Sequence, residues 1–421
     1  MPDQSIEPSP GSAAPSLRLV PPSLGVFLAG STFSDFMSGL YRLALPWWLY
    51  DVTHSAPAMG LLTMMQYLAG LMAPWAGDIL DRWDARRIVQ VSGLVQILAI
   101  VLVVVFAHRG LTLPFIDALG LILGSGALIT QLAANKLIQM HVPGPARLAL
   151  NGLLGTLATF SWNVSPGLAG VFIVTVGVRW TLILNGAGFL GVVVPAFFLP
   201  TPVLHPVDGP ADQDTAPGPI DRFMVGFRAW RHDAGVVSLT LVIAVWYLTW
   251  GGAYTMVTYH FRHFFHWSST EVGLITMVAG AIPVGLGLIG PRLTHFFGVP
   301  RMISGALVLS GFGMAGLALA KTPWEALVAL GCMDGAIAPT TMILDTITQQ
   351  RIIPHVYGRV NALQTILLTA GQPVAAVAQG LMAGALGTPM TFLLWSGSTV
   401  VLGLSVWATQ VRSAVLPPST G

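Results

Sequence analysis

The chain has 421 residues, of which 54% are hydrophobic and only 9% are charged. Soluble domains carry about 25% charged residues, so this composition excludes a protein whose whole surface faces water. The single cysteine, Cys332, excludes a disulfide framework and a thiolate metal site. A net charge of +2 says little by itself, because in a membrane protein the placement of charge matters more than its sum.

The chain begins with a polar segment and continues as a series of apolar runs. Residues 1–23 are rich in Pro and Ser and lack the basic start and cleavage site of a signal peptide, so we expect a disordered cytoplasmic tail. A bilayer core needs roughly 20 apolar residues per helix. Twelve spans are predicted, at 24–50, 57–77, 88–107, 112–137, 149–175, 180–200, 236–261, 270–290, 302–320, 325–349, 360–384 and 389–411.

One long polar segment, 201–235, divides these spans into two groups of six. Its first part is rich in Pro and Asp. In its last part Phe223, Phe227 and Trp230 alternate with arginines, which predicts an amphipathic helix at the inner membrane surface. The predicted organisation is therefore a six-helix half at 24–200, a cytoplasmic linker at 201–235, a second half at 236–411 and a short cytoplasmic tail at 412–421.

The basic residues give an independent test of the twelve spans. Fourteen of the 19 Lys and Arg residues fall in the loops on one side, and four fall on the other side. The remaining one, Arg42, lies within the first span. The positive-inside rule places the basic side in the cytoplasm, together with both termini. A miscounted helix would have exchanged inner and outer loops from that point and blurred the bias.

The two halves resemble each other in sequence. Residues 56–80 align with residues 269–293 at a constant offset of 213. The identical pairs include Gly60 with Gly273, Thr63 with Thr276, Met64 with Met277, and Gly77 with Gly290. A repeated six-helix unit is typical of transporters whose halves move about a central site.

The inner loop after the second span reads GDILDRWDARR, from Gly77 to Arg87. It resembles the major facilitator signature G-x-x-x-D-R-x-G-R-[K/R], and it departs from that signature at Asp84 and Ala85. Glycine lets two helices approach closely, and a carboxylate near a helix end can pair with a cation. We therefore expect a conformational latch formed by Gly77, Asp81, Arg82, Arg86 and Arg87.

The fifth span contains SPGLAG, residues 165–170, which resembles the G-P-x-x-G-G core of facilitator antiporters. The matching residues are Pro166, Gly167 and Gly170. The alternative interpretation is a Pro-kinked packing surface of small residues, which is common in membrane helices. The stretches ALPWWLYDVTHSAPAMGLL and IIPHVYGRVNAL resemble the branch of the family that contains enterobactin exporters and macrolide efflux proteins.

The resemblance implies an all-α membrane protein of the major facilitator fold, with twelve transmembrane helices in two pseudo-symmetric six-helix halves. It also implies a multi-pass protein of the bacterial inner membrane whose first, fourth, seventh and tenth helices line a cavity. We expect a small-molecule substrate, protons and the lipid bilayer as partners, and a monomer. We expect neither a cofactor nor a nucleic-acid partner.

Charged residues inside the spans are candidates for function, because each costs about 2.5–3.5 kcal/mol on insertion scales. Asp35 and Arg42 lie in the first span, and Asp334 and Asp345 lie in the tenth. We predict that Asp35 and Asp334 are the carboxylates that couple transport to protons or contact the substrate, since desolvation favours the protonated carboxyl group and allows proton exchange. Arg42 is either a counter-ion or a site for an anionic substrate. The alternatives are a static Asp35–Arg42 pair, an interfacial position near the outer rim and, for Asp345, a position at the inner interface.

Aromatic residues recur along the seventh span, where Trp246, Trp250 and Tyr254 are spaced four apart. They predict either an aromatic wall for a flat ligand or an ordinary packing stripe. Tyr254 aligns with Tyr41 under the offset of 213. Near the outer end of this span, His260, His263 and His266 are three apart. That spacing could gather imidazoles around a metal, but it is more typical of an interfacial belt.

These patterns favour a proton-coupled exporter of a small amphipathic molecule, such as a siderophore or a hydrophobic drug. An importer or a divalent-metal exporter of the same fold is the alternative within transport. A membrane-embedded enzyme or a non-transporting sensor is the alternative outside it. The sequence contains no G-x-x-x-x-G-K-[ST], HExxH or GxSxG motif, which argues against ATP-driven transport and hydrolysis.

Overall fold

The structure, a computed structural model, describes residues 20–72, 83–106, 113–142, 144–199 and 219–408. All regular secondary structure in these ranges is helical. Residues 1–19 of the predicted N-terminal tail, residues 73–82 of the second span and its loop, the linker up to residue 218 and the whole predicted C-terminal tail lie outside the described residues.

The helices of the first half follow the predicted spans in order. They are α1 (Pro22–Thr53), α2 (Ala56–Leu71), α3 (Ala85–Phe106), α4 (Leu113–His141), α5 (Gly144–Thr175), α6 (Val178–Gly188) and α7 (Leu190–Ala196). The last two form the sixth span.

The second half begins after a short helix in the linker, α8 (Pro219–His232). Its spans are built from α9 (Ala234–Gly251), α10 (Ala253–Phe264), α11 (Ser269–Ala279), α12 (Ala281–Phe297), α13 (Val299–Leu319), α14 (Pro323–Asp334), α15 (Ile337–Arg351), α16 (Pro354–Ala370), α17 (Gln372–Leu386) and α18 (Thr388–Ala408).

Within the described ranges, 10 helical segments are long and apolar enough to cross a membrane. They occupy the third to twelfth predicted positions. The first position is taken by α1, whose apolar character is lowered by Asp35, Arg42 and several hydroxyl side chains. The second is taken by α2, which is described over 16 residues. The all-helical, multi-pass membrane fold predicted from the sequence is confirmed.

Several spans of the second half consist of two helices joined at a short break. In the seventh span, the break between α9 and α10 falls at Gly252, and the Gln379 side chain donates a hydrogen bond to the Thr249 carbonyl at 2.7 Å. In the tenth span, the break falls after Asp334, and Ser310 donates to the Met333 carbonyl at 2.7 Å. Neighbouring side chains thus satisfy carbonyl groups beside the interruptions, as the membrane interior requires.

The two halves meet through two extensive helix contacts. One joins α2 to α17, and the other joins α5 to α11. A Cβ atom on Gly60 would lie 3.0 Å from the Gly380 Cα and closer still to the Ala376 carbonyl oxygen, so glycine is needed for this approach. Both contacts lie toward the end of the bundle where α1 ends and α11 begins. We call this the outer end, following the charge pattern.

Toward the opposite, inner end, the helices pack mainly within their own half. Helix α12 packs on α14 and α15, and α15 packs on α9 and α13. The linker helix α8 lies against α16, and its Trp230 indole donates a hydrogen bond to Thr240 on α9 at 3.2 Å. The described bundle is therefore closed between its halves at the outer end and separates toward the inner end.

Candidate functional site

The site is organised around Asp334, which ends α14 at the break in the tenth span. Its side chain is buried, and the indole Nε1–H of Trp250 donates a hydrogen bond to Asp334 Oδ1 at 2.9 Å. Trp250 is the penultimate residue of α9, beside the break in the seventh span. Two interrupted helices therefore bring together a carboxyl group and a donor that the sequence had singled out separately.

A chain of polar groups leads from Asp334 across to the first half. The Tyr254 hydroxyl on α10 is within Coulombic range of both Asp334 and Arg42. Tyr67 on α2 is within Coulombic range of Asp334 and of Tyr247. Sequence reasoning missed Tyr67, although it stands in the repeated segment and is one of only 7 tyrosines in the chain.

Arg42 occupies the first-half side of this region. Its guanidinium carbon lies 3.9 Å from the centroid of the Trp162 ring on α5, in a cation–π contact. Asp35, on the same helix, is exposed and is within Coulombic range of Arg42. Among the described residues no ion pair joins the two side chains. Trp162 was not predicted, and its only sequence signal is an aromatic residue close to Pro166.

The remaining candidate cavity residues lie at the two margins of this region. Tyr41 is buried beside Arg42. Asp345, on α15, is exposed and within Coulombic range of Tyr247. The structure thus places Asp35, Arg42, Tyr254, Trp250 and Asp334 in one connected region and sets Asp345 toward its inner margin. Their roles in binding and proton exchange stay predictions.

The aromatic stripe of the seventh span has two environments. Trp246 is completely buried and donates to Ser310 at 3.1 Å, so it packs the second half together. Trp250 contacts Trp246 and Tyr254, each with 6.3 Å between ring centroids, and continues the stripe toward Asp334. One end of the stripe is therefore a packing element, and the other end borders the polar region.

The three histidines near the outer end do not converge. His260 is buried and its Nδ1 pairs with the Thr388 hydroxyl at 2.6 Å. His263 is exposed and pairs with Tyr50 at 3.2 Å, while His266 adopts a left-handed backbone with φ of 56°. No cluster of three metal-ligating side chains occurs in the part of the chain that the structure describes.

His263 belongs instead to a contact between the outer ends of α1 and α10. Beside the Tyr50–His263 bond, Arg262 forms an ion pair with Asp51 at 2.7 Å. The Arg262 guanidinium also lies 4.2 Å from the centroid of the Trp47 ring. We call Tyr50, Asp51, Arg262 and His263 the outer gate. Sequence reasoning did not predict the gate.

The predicted latch loop is only partly described. Gly77, Asp81 and Arg82 lie outside the described residues, and Arg87 is exposed. Arg86 donates to the carbonyl oxygens of Leu199 at 3.1 Å and Phe197 at 2.8 Å, close to the end of the sixth span. In this conformation Arg86 therefore satisfies carbonyl groups at a helix end within its own half.

The antiporter-like segment of the fifth span lies between the halves. Ser269 of α11 donates to the Gly170 carbonyl at 2.9 Å, and Gly273 lies against the Pro166 carbonyl. A Cβ on Gly167 would lie 2.7 Å from the Met277 sulfur. Pro166, Gly167 and Gly170 thus form a close packing surface in this state, which fits the packing interpretation. An antiport role for them stays a prediction.

Two pseudo-symmetric halves, interrupted helices and a polar region between the halves are features of a transport protein rather than an enzyme. The Major Facilitator Superfamily model matches residues 27–264 and 239–420. The chain belongs to this family.

Two kinds of curated protein are similar in sequence to this chain over about nine-tenths of its length. The chain is 23% identical over 389 residues to macrolide efflux protein A of Streptococcus pyogenes, covering 89% of this chain and 92% of that protein. It is 26% identical over 406 residues to the enterobactin exporter EntS of Citrobacter koseri, covering 92% and 91%. The predicted resemblance to this branch is confirmed.

Solved transporters share the fold. The nucleoside transporter NupG matches with a TM-score of 0.71 at 12% identity, over 92% of this chain and 99% of that chain. An inward-facing bacterial homologue of ferroportin matches with a TM-score of 0.69 at 14% identity, over 92% and 99%. At such identities the likeness establishes the fold alone.

Proposed function

We propose that this transporter is a proton-coupled exporter of a small amphipathic molecule and that it works by alternating access. The observation that carries the proposal is the buried Asp334 carboxyl group, hydrogen-bonded to Trp250 between two interrupted helices. A carboxyl group that is removed from water within the membrane is suited to taking up and releasing a proton. The names of the efflux protein and the exporter among the relatives support the direction.

The proposed cycle uses competition at Asp334. With the outer gate closed, the substrate enters from the inner side and contacts Trp250, Tyr254 and Asp334. Hydrogen-bond donors of the substrate favour the ionised Asp334 carboxylate, so substrate binding releases the Asp334 proton toward the cytoplasm. After the halves rock, the substrate leaves on the outer side and Asp334 is protonated again. Because proton and substrate exclude each other, the inward proton gradient drives export. Asp35 is proposed as a second exchanging carboxylate.

The proposal also covers the location and the oligomeric state of the protein. The protein would lie in a bacterial inner membrane with both termini in the cytoplasm, act as a monomer and need no cofactor. An importer of the same fold is the alternative, and to use the inward proton gradient it would have to carry proton and substrate inward together. A divalent-metal exporter has less support, since the described histidines face three separate surroundings.

Proton release in inside-out membrane vesicles tests the proposal. The lumen is acidified, and erythromycin or enterobactin is added on the exposed cytoplasmic face while a fluorescent amine reports the pH difference. We expect the wild type to dissipate the gradient on addition of a substrate, and Asp334→Asn and Asp35→Asn to lose that response. Glu271→Gln is the matched control, since Glu271 is an exposed carboxylate that caps α11 and Gln keeps a capping side chain. A response that survives both Asp substitutions would overturn the carboxylate mechanism.

A further inference from the structure

Arg42 is a cation in the first span that lacks a bonding partner among the described residues. A guanidinium carries five N–H donors and stays charged, so inside a membrane it calls for acceptors or a counter-ion. No hydrogen bond or ion pair of Arg42 occurs within the described part of the chain. The groups in Coulombic range are Tyr41, Tyr254 and Asp35. Asp35 is the sole carboxylate of these three, and it lies beyond ion-pair distance.

The side chains around Arg42 position its guanidinium group but do not form an ion pair with it. Trp162 covers one face of the guanidinium at 3.9 Å and is itself 47% exposed. Gly39 leaves room beside it, since a Cβ there would lie 3.0 Å from Arg42 Nη2. A guanidinium stacked on a ring keeps its N–H edge free for a planar, bidentate acceptor. Arg42 is therefore positioned for a group that the chain does not supply.

We infer that Arg42 and Trp162 form a subsite for an anionic group of the transported molecule, which makes the substrate an amphipathic organic anion. A planar carboxylate would pair with the guanidinium edge, and an adjoining aromatic ring would extend toward Tyr254 and Trp250. This inference rests on the proposed function because it concerns the same cavity. It adds a substrate charge that the exporter proposal leaves open.

Binding of two matched probes tests the subsite without transport. Tritiated 2-naphthoate and tritiated 2-naphthylmethanol differ only in carrying a carboxylate or a neutral alcohol. Their dissociation constants are measured by scintillation proximity on the full chain purified in detergent. We expect Arg42→Gln to raise the Kd of naphthoate about tenfold or more and to leave that of the alcohol unchanged. Arg42→Lys keeps the positive charge but loses the planar pair of N–H donors, so it should give an intermediate Kd for naphthoate.

Arg301→Gln is the matched control, because Arg301 is an exposed arginine near the start of α13. It should bind both probes as the wild type does. Unchanged alcohol binding also reports that Arg42→Gln is folded. The inference is overturned if naphthoate binds wild type and Arg42→Gln equally, if alcohol binding falls as much, or if the wild type shows no saturable naphthoate binding. Loss of proton coupling with intact naphthoate binding would instead reject the exporter mechanism alone.

Discussion

Tyr50 and His263 lie 213 residues apart in sequence and pair across the two halves, with 3.2 Å between Tyr50 Oη and His263 Nδ1. The same offset aligns Gly60 with Gly273, so these residues occupy equivalent positions in the repeat. Equivalent positions can meet only near the pseudo-two-fold axis that relates the halves. The outer gate is thus a near-symmetric contact between the ends of the first and seventh spans.

Linking the outer gate should stop the transport cycle. In a Cys332→Ser background the chain has no thiol, so Tyr50→Cys and His263→Cys can be joined by a short bifunctional methanethiosulfonate. We expect the linked protein to lose transport and dithiothreitol to restore it, because the outer gate must open once per cycle. Each single cysteine variant, treated in the same way, is the control. Full transport by the linked protein would show that these helix ends do not separate.

The Asp51–Arg262 ion pair should contribute only modestly to gate closure. Its side chains are 39% and 31% exposed, and exposed pairs contribute about 0.2–1 kcal/mol. We expect Asp51→Asn to slow the linking of the two introduced cysteines by less than about fivefold. Exchanging the charges, with Asp51→Arg and Arg262→Asp together, should recover the rate. A much larger effect would make the ion pair, rather than the packing around it, the principal restraint.

The packing of α5 against α11 should contribute more to closure of the outer end than the Asp51–Arg262 ion pair does. A Cβ on Gly170 would collide with the Ser269 carbonyl, and overpacking costs about 1–3 kcal/mol. Gly170→Ala should therefore disfavour the outer-closed state and lower both gate linking and transport. Gly155→Ala, on the same helix but with open space around its Cβ, is the control and should change neither. Equal behaviour of the two variants would exclude close packing at Gly170 as a determinant.

Substitution of two tryptophans should show whether Asp334 is protonated or ionised, through the change in the free energy of unfolding. Trp250→Phe removes the donor to a carboxyl group, while Trp246→Phe removes the donor to the Ser310 hydroxyl. Hydrogen bonds to charged groups contribute about 1.5–3 kcal/mol and neutral ones about 0.5–1.5 kcal/mol. We expect the larger loss of unfolding free energy for Trp250→Phe at alkaline pH, where the carboxyl group is ionised. Equal losses there would mean that Asp334 stays protonated.

The helical, multi-pass character of the chain and the order of its spans could be predicted from the sequence because they depend on apolar length and loop charge, which are local properties. Asp334 and Trp250 could be selected individually, since a carboxylate and an aromatic stripe inside a span are visible in the sequence. Their contact could not be predicted, because it depends on breaks in two helices. Asp117 in α4 was overlooked, although it is a buried charged residue inside a predicted span.

The Tyr50–His263 contact in the outer gate joins two positions that are equivalent in the sequence repeat. The offset of 213 aligns Tyr50 with His263 just as it aligns Tyr41 with Tyr254. Sequence alone gives equivalence between positions, but it does not tell which equivalent positions lie on the axis and touch. Trp162 is a similar case, since its contact with Arg42 depends on how α1 and α5 cross.

The most direct measurement of the central claim is accumulation in proteoliposomes driven only by a pH gradient. The cytoplasmic face is outside, the lumen is acidic, and tritiated erythromycin, enterobactin and 2-naphthoate are supplied in turn. The account predicts that the wild type concentrates at least one of them and that Asp334→Asn exchanges that compound across the membrane without concentrating it. Equal accumulation by wild type and Asp334→Asn, or no gradient-driven accumulation of any of the three, would contradict it.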